Sequence, residues 1–322
     1  MSEFKASSLV KLNGPEIKQA IITGATGTLG IALVKYLAEL GISVTALIRP
    51  GSKRNADIPK LDKIRIVECD LAALPSLTKQ LSHQYDAFFH LGWNTASREI
   101  ANDPFIQAQS ILYTLDAVRL SHDLGCKVFV GAGSQAEYGQ VEGLLTADTP
   151  ANPKTSYGIA KYTAGKLSRQ LCEAFGVRHC WCRILSVYGP FDRETTAAMY
   201  CIHSLLKGEK PSLTKSEQIW DYIYSADCAK ALYLIAKKGR HGVAYPIGSG
   251  QARPLRKYFE CIRDYINPLL PLGIGDKQYS DGQIMRLSAD IAVLTKDTGF
   301  VPEYSFEAGI KETIGWVKKR AQ

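Results

Sequence analysis

Three residues of this chain have the types needed for proton transfer to or from a carbinol or carbonyl oxygen: Ser134, Tyr157 and Lys161. Tyr157 and Lys161 stand four apart in Ser156-Tyr157-Gly158-Ile159-Ala160-Lys161, a spacing that makes them neighbours on one face of a helix. An ammonium close to a phenol stabilises the phenolate and lowers the tyrosine pKa, so the hydroxyl can exchange a proton with substrate near neutral pH. The Ser134 hydroxyl, in Gly133-Ser134-Gln135-Ala136-Glu137-Tyr138-Gly139, could hydrogen-bond the same oxygen. Hydride transfer would then belong to a nicotinamide. A Tyr/Lys pair alone is common by chance, and its weight comes from where it stands in the chain.

A second group could hold that nicotinamide. Ile21-Ile22-Thr23-Gly24-Ala25-Thr26-Gly27-Thr28-Leu29-Gly30 places three glycines, each three apart, after an apolar run and at the mouth of an amphipathic pattern. Such a turn lets backbone approach a pyrophosphate, whose charge sits against free N–H groups at the positive end of a helix. About 20 residues further on, an acidic residue would suit the NAD ribose and a basic one the NADP 2′-phosphate. Leu47-Ile48-Arg49-Pro50-Gly51-Ser52-Lys53-Arg54 offers three cations and no carboxylate before Asp57, so NADP is favoured over NAD. Asp70 and Leu71 close the third apolar run and could meet the adenine. Asp70 could equally start a helix.

These groups need a frame, and the first two thirds of the chain supply the rhythm of βαβ units. Strands are expected over Gln19–Thr23, Ser43–Ile48, Ile64–Cys69, Ala87–Leu91, Lys127–Gly131 and His179–Leu185. Helices are expected near Leu29–Leu40, Ser76–Ser82, Pro104–Leu124 and Ser156–Phe175. Six strands make an α/β doubly wound parallel sheet of the Rossmann type, with Ser134 at its carboxyl edge, where ligands bind. Further helices near Thr196–Lys207, Asp227–Lys237, Leu255–Tyr265 and Phe306–Lys318 suggest a smaller, interleaved α+β substrate lobe. The expected divisions are a polar extension over 1–16, a dinucleotide domain over 17–190 and the lobe over 191–322.

With 322 residues, 46% hydrophobic and 22% charged, the chain has the composition of a globular protein, which excludes collagen, coiled-coil and disordered classes. The net charge of +8, from 39 Lys+Arg against 31 Asp+Glu, is scattered, so no nucleic-acid partner is expected. No apolar run is long enough to cross a membrane and the start lacks a secretory pattern, which suggests a cytoplasmic protein. The eight cysteines, Cys180 and Cys182 among them, have no zinc-site spacing, so no metal is expected. His90, in an apolar run, reads as a core or cofactor-lining histidine.

In order along Lys18 to Lys318, the sequence resembles the extended short-chain dehydrogenase/reductase family. The likeness rests on the loop at 24–30, His90-Leu91-Gly92, Ser134 with Tyr138-Gly139, and Tyr157 with Lys161. Arg183-Ile184-Leu185-Ser186-Val187-Tyr188-Gly189-Pro190, Trp220-Asp221-Tyr222-Ile223-Tyr224-Ser225-Ala226-Asp227 and Asp297-Thr298-Gly299-Phe300-Val301-Pro302 are most similar to the branch acting on nucleotide-diphosphate sugars. That branch includes epimerases, 4,6-dehydratases and 4-ketoreductases. The resemblance implies Ser134, Tyr157 and Lys161 as the catalytic trio. It implies Gly24, Thr26, Gly27, Thr28, Leu29, Gly30, Arg49, Asp70, Leu71, Leu91, Tyr157 and Lys161 at the cofactor, and a homodimer built on the helices of 104–124 and 156–175. Candidate substrate contacts are Trp93, Ser134, Tyr138, Ser186, Trp220 and Arg286, with Tyr188 also near the cleft, although aromatic residues placed like Tyr138 and Tyr188 are nearly as often simple packing.

Departures narrow the choice within the branch. The dehydratases carry Thr-Asp-Glu where this chain reads Ser134-Gln135-Ala136, and Glu137, one place later, should point elsewhere. Arg49 argues against epimerases that keep NAD. Ser186 replaces a usual Asn, and Trp220 replaces a usual Arg that contacts the substrate diphosphate; Arg286 or Lys215 could supply the charge instead. The reading is an NADP(H)-dependent reductase of a keto group on a nucleotide-linked sugar. An NAD-dependent epimerase is the alternative, and a cofactor-binding sensor without turnover the second.

Overall fold

The computed structural model describes residues 16–81, 84–94 and 97–320; the expected N-terminal extension, apart from Glu16, and Ser82 lie outside the described residues. The first elements are β1 (Gln19–Thr23), α1 (Thr28–Glu39), β2 (Ser43–Ile48), β3 (Ile64–Glu68), β4 (Ala87–His90), α2 (Arg98–Asn102), α3 (Pro104–Asp123), β5 (Val128–Ser134), α4 (Ser156–Phe175), β6 (Arg178–Ile184) and β7 (Ser186–Tyr188). Then come α5 (Ala197–Leu206), β8 (Ser212–Leu213), β9 (Ile219–Trp220), β10 (Tyr222–Tyr224), α6 (Ser225–Lys238), β11 (Ala244–Ile247) and β12 (Arg253–Pro254). The chain ends with α7 (Leu255–Ile266), β13 (Gly273–Ile274), β14 (Arg286–Leu287), α8 (Ala292–Thr298) and α9 (Phe306–Arg320).

Seven strands form one parallel sheet in the order β11-β6-β5-β4-β1-β2-β3. The order reverses between β1 and β4, so the connections leave their carboxyl ends in opposite directions and open a crevice there. Because helices cover both faces, the central strands are apolar on both sides. Ile21, Phe88 and Phe129 point into a core with Ala117, Val118 and Leu120 of α3, whereas Ile22, Phe89 and Val130 point the other way, toward α1 and α6. Fully burying side chains of this size contributes about 1.5–3 kcal/mol each.

Two expectations are corrected. Sequence alone gave six strands; the seventh, β11, comes from beyond residue 190 and pairs with β6, with Tyr245 opposite Cys182. The helix expected at 76–82 is a 3-10 segment over Leu71–Lys79 with Pro75 inside it, started by the Asp70 carboxylate on the N–H of Ala72. Helix α4 matches its expected span because its ends are chemically marked. Thr155 Oγ1 accepts from the N–H of Gly158, and Gly176 closes the helix in the left-handed region at φ 67°.

Candidate active site

The crevice at the carboxyl ends of β1, β2 and β4 is a cleft of about 780 Å³. Its walls include Gly24, Thr26, Gly27, Thr28, Leu29, Arg49, Asp70, Leu71 and Leu91, nine residues expected at the cofactor. Gly30 stands behind that wall: a Cβ there would come within 2.1 Å of the Gly24 carbonyl oxygen, so its lack of a side chain lets α1 press against the loop. Gly24 adopts φ +68°, and a Cβ on it would meet the backbone of Gly92 at 2.6 Å. No side chain caps α1, and its first turn carries no acidic residue, so its orphan N–H groups are left for an anion in the cleft. These features fit a dinucleotide pyrophosphate.

Arg49 is exposed at the mouth of the cleft, and Ser52 and Arg54 line the same wall. Arg54 Nη2 donates to the carbonyl of Phe191 at 2.6 Å, and Thr28 Oγ1 donates to the same oxygen at 3.0 Å. Phe191 holds φ 66°, and Asp192 and Arg193 after it also line the cleft. Sequence reading missed this segment because nothing local ties residues 191–193 to the loop at 24–30. Lys53 is exposed and does not line the cleft.

Ser134 ends β5, while Tyr157 and Lys161 occupy the first two turns of α4. The expected neighbourhood forms, with one correction. Lys161 is buried and its Nζ donates to the carbonyl oxygen of Ala132 at 2.6 Å, lying 3.8 Å above the Trp93 ring. Burial brings the Lys161 amine down to about 7, opposed by the charge of Glu137. Tyr157 is accordingly not lowered. Burial pushes its hydroxyl up and the Glu137 charge adds to the rise, while a hydrogen bond with Ser134 and the charge of Arg193 pull it back.

Glu137 is aimed away from the cleft, as its one-place shift suggested. Its Oε1 accepts from the backbone N–H of Ser134 at 2.8 Å and the indole N–H of Trp181 at 2.9 Å, and its Oε2 accepts from Arg183 Nε at 2.9 Å. This buried pair fixes the backbone under Ser134. His90 shares hydrogen bonds with Thr23 and Thr114, and burial takes its pKa down to about 3, so it stays neutral beside Lys161.

The expected substrate contacts scatter. Trp93 lines the cleft, its ring edge-on to Tyr157 with centroids 6.3 Å apart. Trp220 Nε1 donates to Ser186 Oγ at 2.7 Å, bringing two of the candidates together, while Arg286 is exposed on β14, whose register sets it beside Ile219. Lys215 is exposed. Tyr138 and Tyr188, expected at the cleft, are core residues instead. Their hydroxyls donate to the carbonyls of Thr146 and Phe306, which satisfies the one polar atom of each ring and allows burial. Among the described residues no cluster of His, Cys, Asp or Glu suits a metal ion, and no helix is long and apolar enough to cross a membrane.

Comparison with known proteins adds a family. The family model described as NAD dependent epimerase/dehydratase matches residues 20–248. The chain is 23% identical to dTDP-glucose 4,6-dehydratase 1 of Escherichia coli, over 92% of this chain and 91% of that protein. It is 25% identical to a putative UDP-glucose 4-epimerase of Methanocaldococcus jannaschii, over 92% and 98%. Among solved structures, UDP-glucose 4-epimerase of Thermotoga maritima with UDP-glucose superposes with TM-score 0.85 at 21% identity, covering 94% of this chain and all (100%) of that one. The dTDP-glucose 4,6-dehydratase of Streptomyces venezuelae with NAD and TYD bound gives 0.83 at 20%, covering 94% and 97%.

Proposed function

The chain belongs to the NAD dependent epimerase/dehydratase family, and from that premise we propose that it reduces a keto group on a nucleotide-linked sugar with NADPH. One observation carries the reading: Ser134, Tyr157 and Lys161 gather behind Trp93, which lines a cleft whose segment after β2 contributes Arg49, Ser52 and Arg54, while its carboxylates, Asp70 and Asp192, come from other segments. A 2′-phosphate placed there meets guanidinium groups, which bind it through paired hydrogen bonds. When bound, the nicotinamide supplies the hydride. Ser134 polarises the carbonyl oxygen by a hydrogen bond, and Tyr157 gives that oxygen its proton. Lys161 orients the cofactor ribose and, once drawn toward Tyr157, steadies the phenolate left behind.

Elimination of water is a poorer fit, because Gln135 and Ala136 offer no carboxylate and Glu137 is tied to Arg183 and Trp181. A second reading, an epimerase that retains NAD, is favoured by the likeness to the UDP-glucuronic acid 4-epimerase of Bacillus cereus, whose structure holds NAD, as do the Streptomyces venezuelae and Bacillus anthracis dehydratases. A homodimer through α3 and α4 is supported by Phe105, Leu112, Ile159 and Leu167, exposed apolar residues on two helices packed against each other.

Fluorescence titration with NADPH and NADH, on protein checked by extraction for carried-over cofactor, decides between the readings. The reductase predicts a clear NADPH preference that is lost in Arg49→Asp. Co-purified NAD with no response to NADPH would overturn it and move the epimerase reading to first place. In either case Tyr157→Phe should cut turnover by about 10²–10⁴-fold while cofactor affinity is kept.

A further inference from the structure

Lys161 does not face the cleft directly. Trp93 both lines the cleft and touches Lys161, its ring centroid lying 3.8 Å from the ammonium and its ring edge-on to Tyr157. The indole is pinned in that position. Trp93 Nε1 donates to Gln107 Oε1 at 2.8 Å, and the buried Gln107 amide donates in turn to the carbonyls of Asn94 and Ile100, both at 2.9 Å. Both polar atoms of the Gln107 side chain are thereby used, on Trp93, on Asn94 beside it and on Ile100 of α2. On the far side, Lys161 is held by the Ala132 carbonyl.

We propose that Trp93 is a shutter over Lys161, a positioning residue whose indole stands between the dinucleotide cleft and the ammonium and swings aside when the cleft fills. With the shutter closed, the ammonium rests on the indole face and on Ala132. With it open, the ammonium is free to meet ribose hydroxyls and to approach Tyr157. Cofactor entry and assembly of the proton-transfer pair thus become one event. What opens the shutter rests on the dinucleotide reading above; that it is closed in the free protein does not.

The test has two arms. In the first, the free protein is treated with an amine-selective acylating reagent and labelling of Lys161 is followed by peptide mass spectrometry. Burial leaves much of this amine uncharged near neutral pH, so the labelling rate reports access. Wild type should label about tenfold or more slowly than Trp93→Ala, because the reagent reads the fraction of molecules with the indole displaced. Gln107→Leu, which keeps the indole but frees it, should fall between them and serves as the decisive variant if Trp93→Ala does not fold. In the second arm, stopped-flow binding of NADPH should level off with concentration in wild type and rise linearly in the faster variant. Equal labelling of Lys161 in wild type and variants overturns the shutter. Differential labelling with binding of neither NADPH nor NADH by any form, on protein free of carried-over cofactor, leaves the shutter standing and overturns the dinucleotide reading instead.

Discussion

Glu137 shows how one buried carboxylate can set the charge balance of a site whose cleft it does not line. It is 1% exposed and fully engaged by Ser134, Trp181 and Arg183, yet its charge raises both Tyr157 and Lys161. Replacing it with Gln removes the charge and keeps an acceptor, so both groups should titrate at lower pH. A tyrosine that donates a proton works only below its pKa, so the alkaline fall in kcat should move to lower pH in Glu137→Gln. An alkaline limb that stays in place would exclude Glu137 from the balance. The same variant leaves Arg183 without its counter-charge, and removing one partner of a buried pair costs about 3–5 kcal/mol, to be read by urea unfolding.

Element packing decides where the trio stands. Helix α4 comes close to β6 because Gly165 presents no side chain to Trp181: a Cβ there would lie 2.7 Å from the indole ring. Gly165→Ala should therefore push α4 away from the sheet, at a cost of about 1–3 kcal/mol for overpacking. Tyr157 and Lys161 ride on the first turns of the same helix, so the displacement reaches them while the cleft wall formed by the loop at 24–30 stays in place. Steady-state kinetics should show kcat falling more than KM for the cofactor rises. Equal losses in both would mean that the helix moves as one with the cleft.

For the whole molecule, the C-terminal third closes structure begun at the other end. Helix α6 packs on α1, β11 extends the sheet beyond β6, and α9 brings Trp316 against Phe191 with ring centroids 4.8 Å apart. Arg320 then reaches Asp57 at 2.9 Å, in the segment that follows Arg49 and Arg54. The opposite face carries the exposed apolar residues of α3 and α4. We expect sedimentation equilibrium to give a dimer for wild type and a monomer for the Phe105→Glu, Leu112→Glu double variant, because charges buried at an interface without partners oppose association. A wild-type monomer would remove the dimer from the account.

The sequence by itself determined whatever rests on local pattern. The spans of β1, β2 and α4, the glycine loop and the Tyr157/Lys161 spacing are all written in residues a few positions apart: buried apolar runs, a capping Thr155 and a closing Gly176. Strand β11 was illegible because its four residues, with Pro246 among them, have no period of their own and become a strand only where β6 offers an open edge. Only the tertiary structure decided that Tyr138 and Tyr188 are core, that Glu137 answers to Arg183, and that Trp93 covers Lys161. Each depends on groups far apart in the chain finding one another. A side chain settles where its polar atoms are satisfied and its apolar surface is covered, and those partners are chosen by the packing of whole elements.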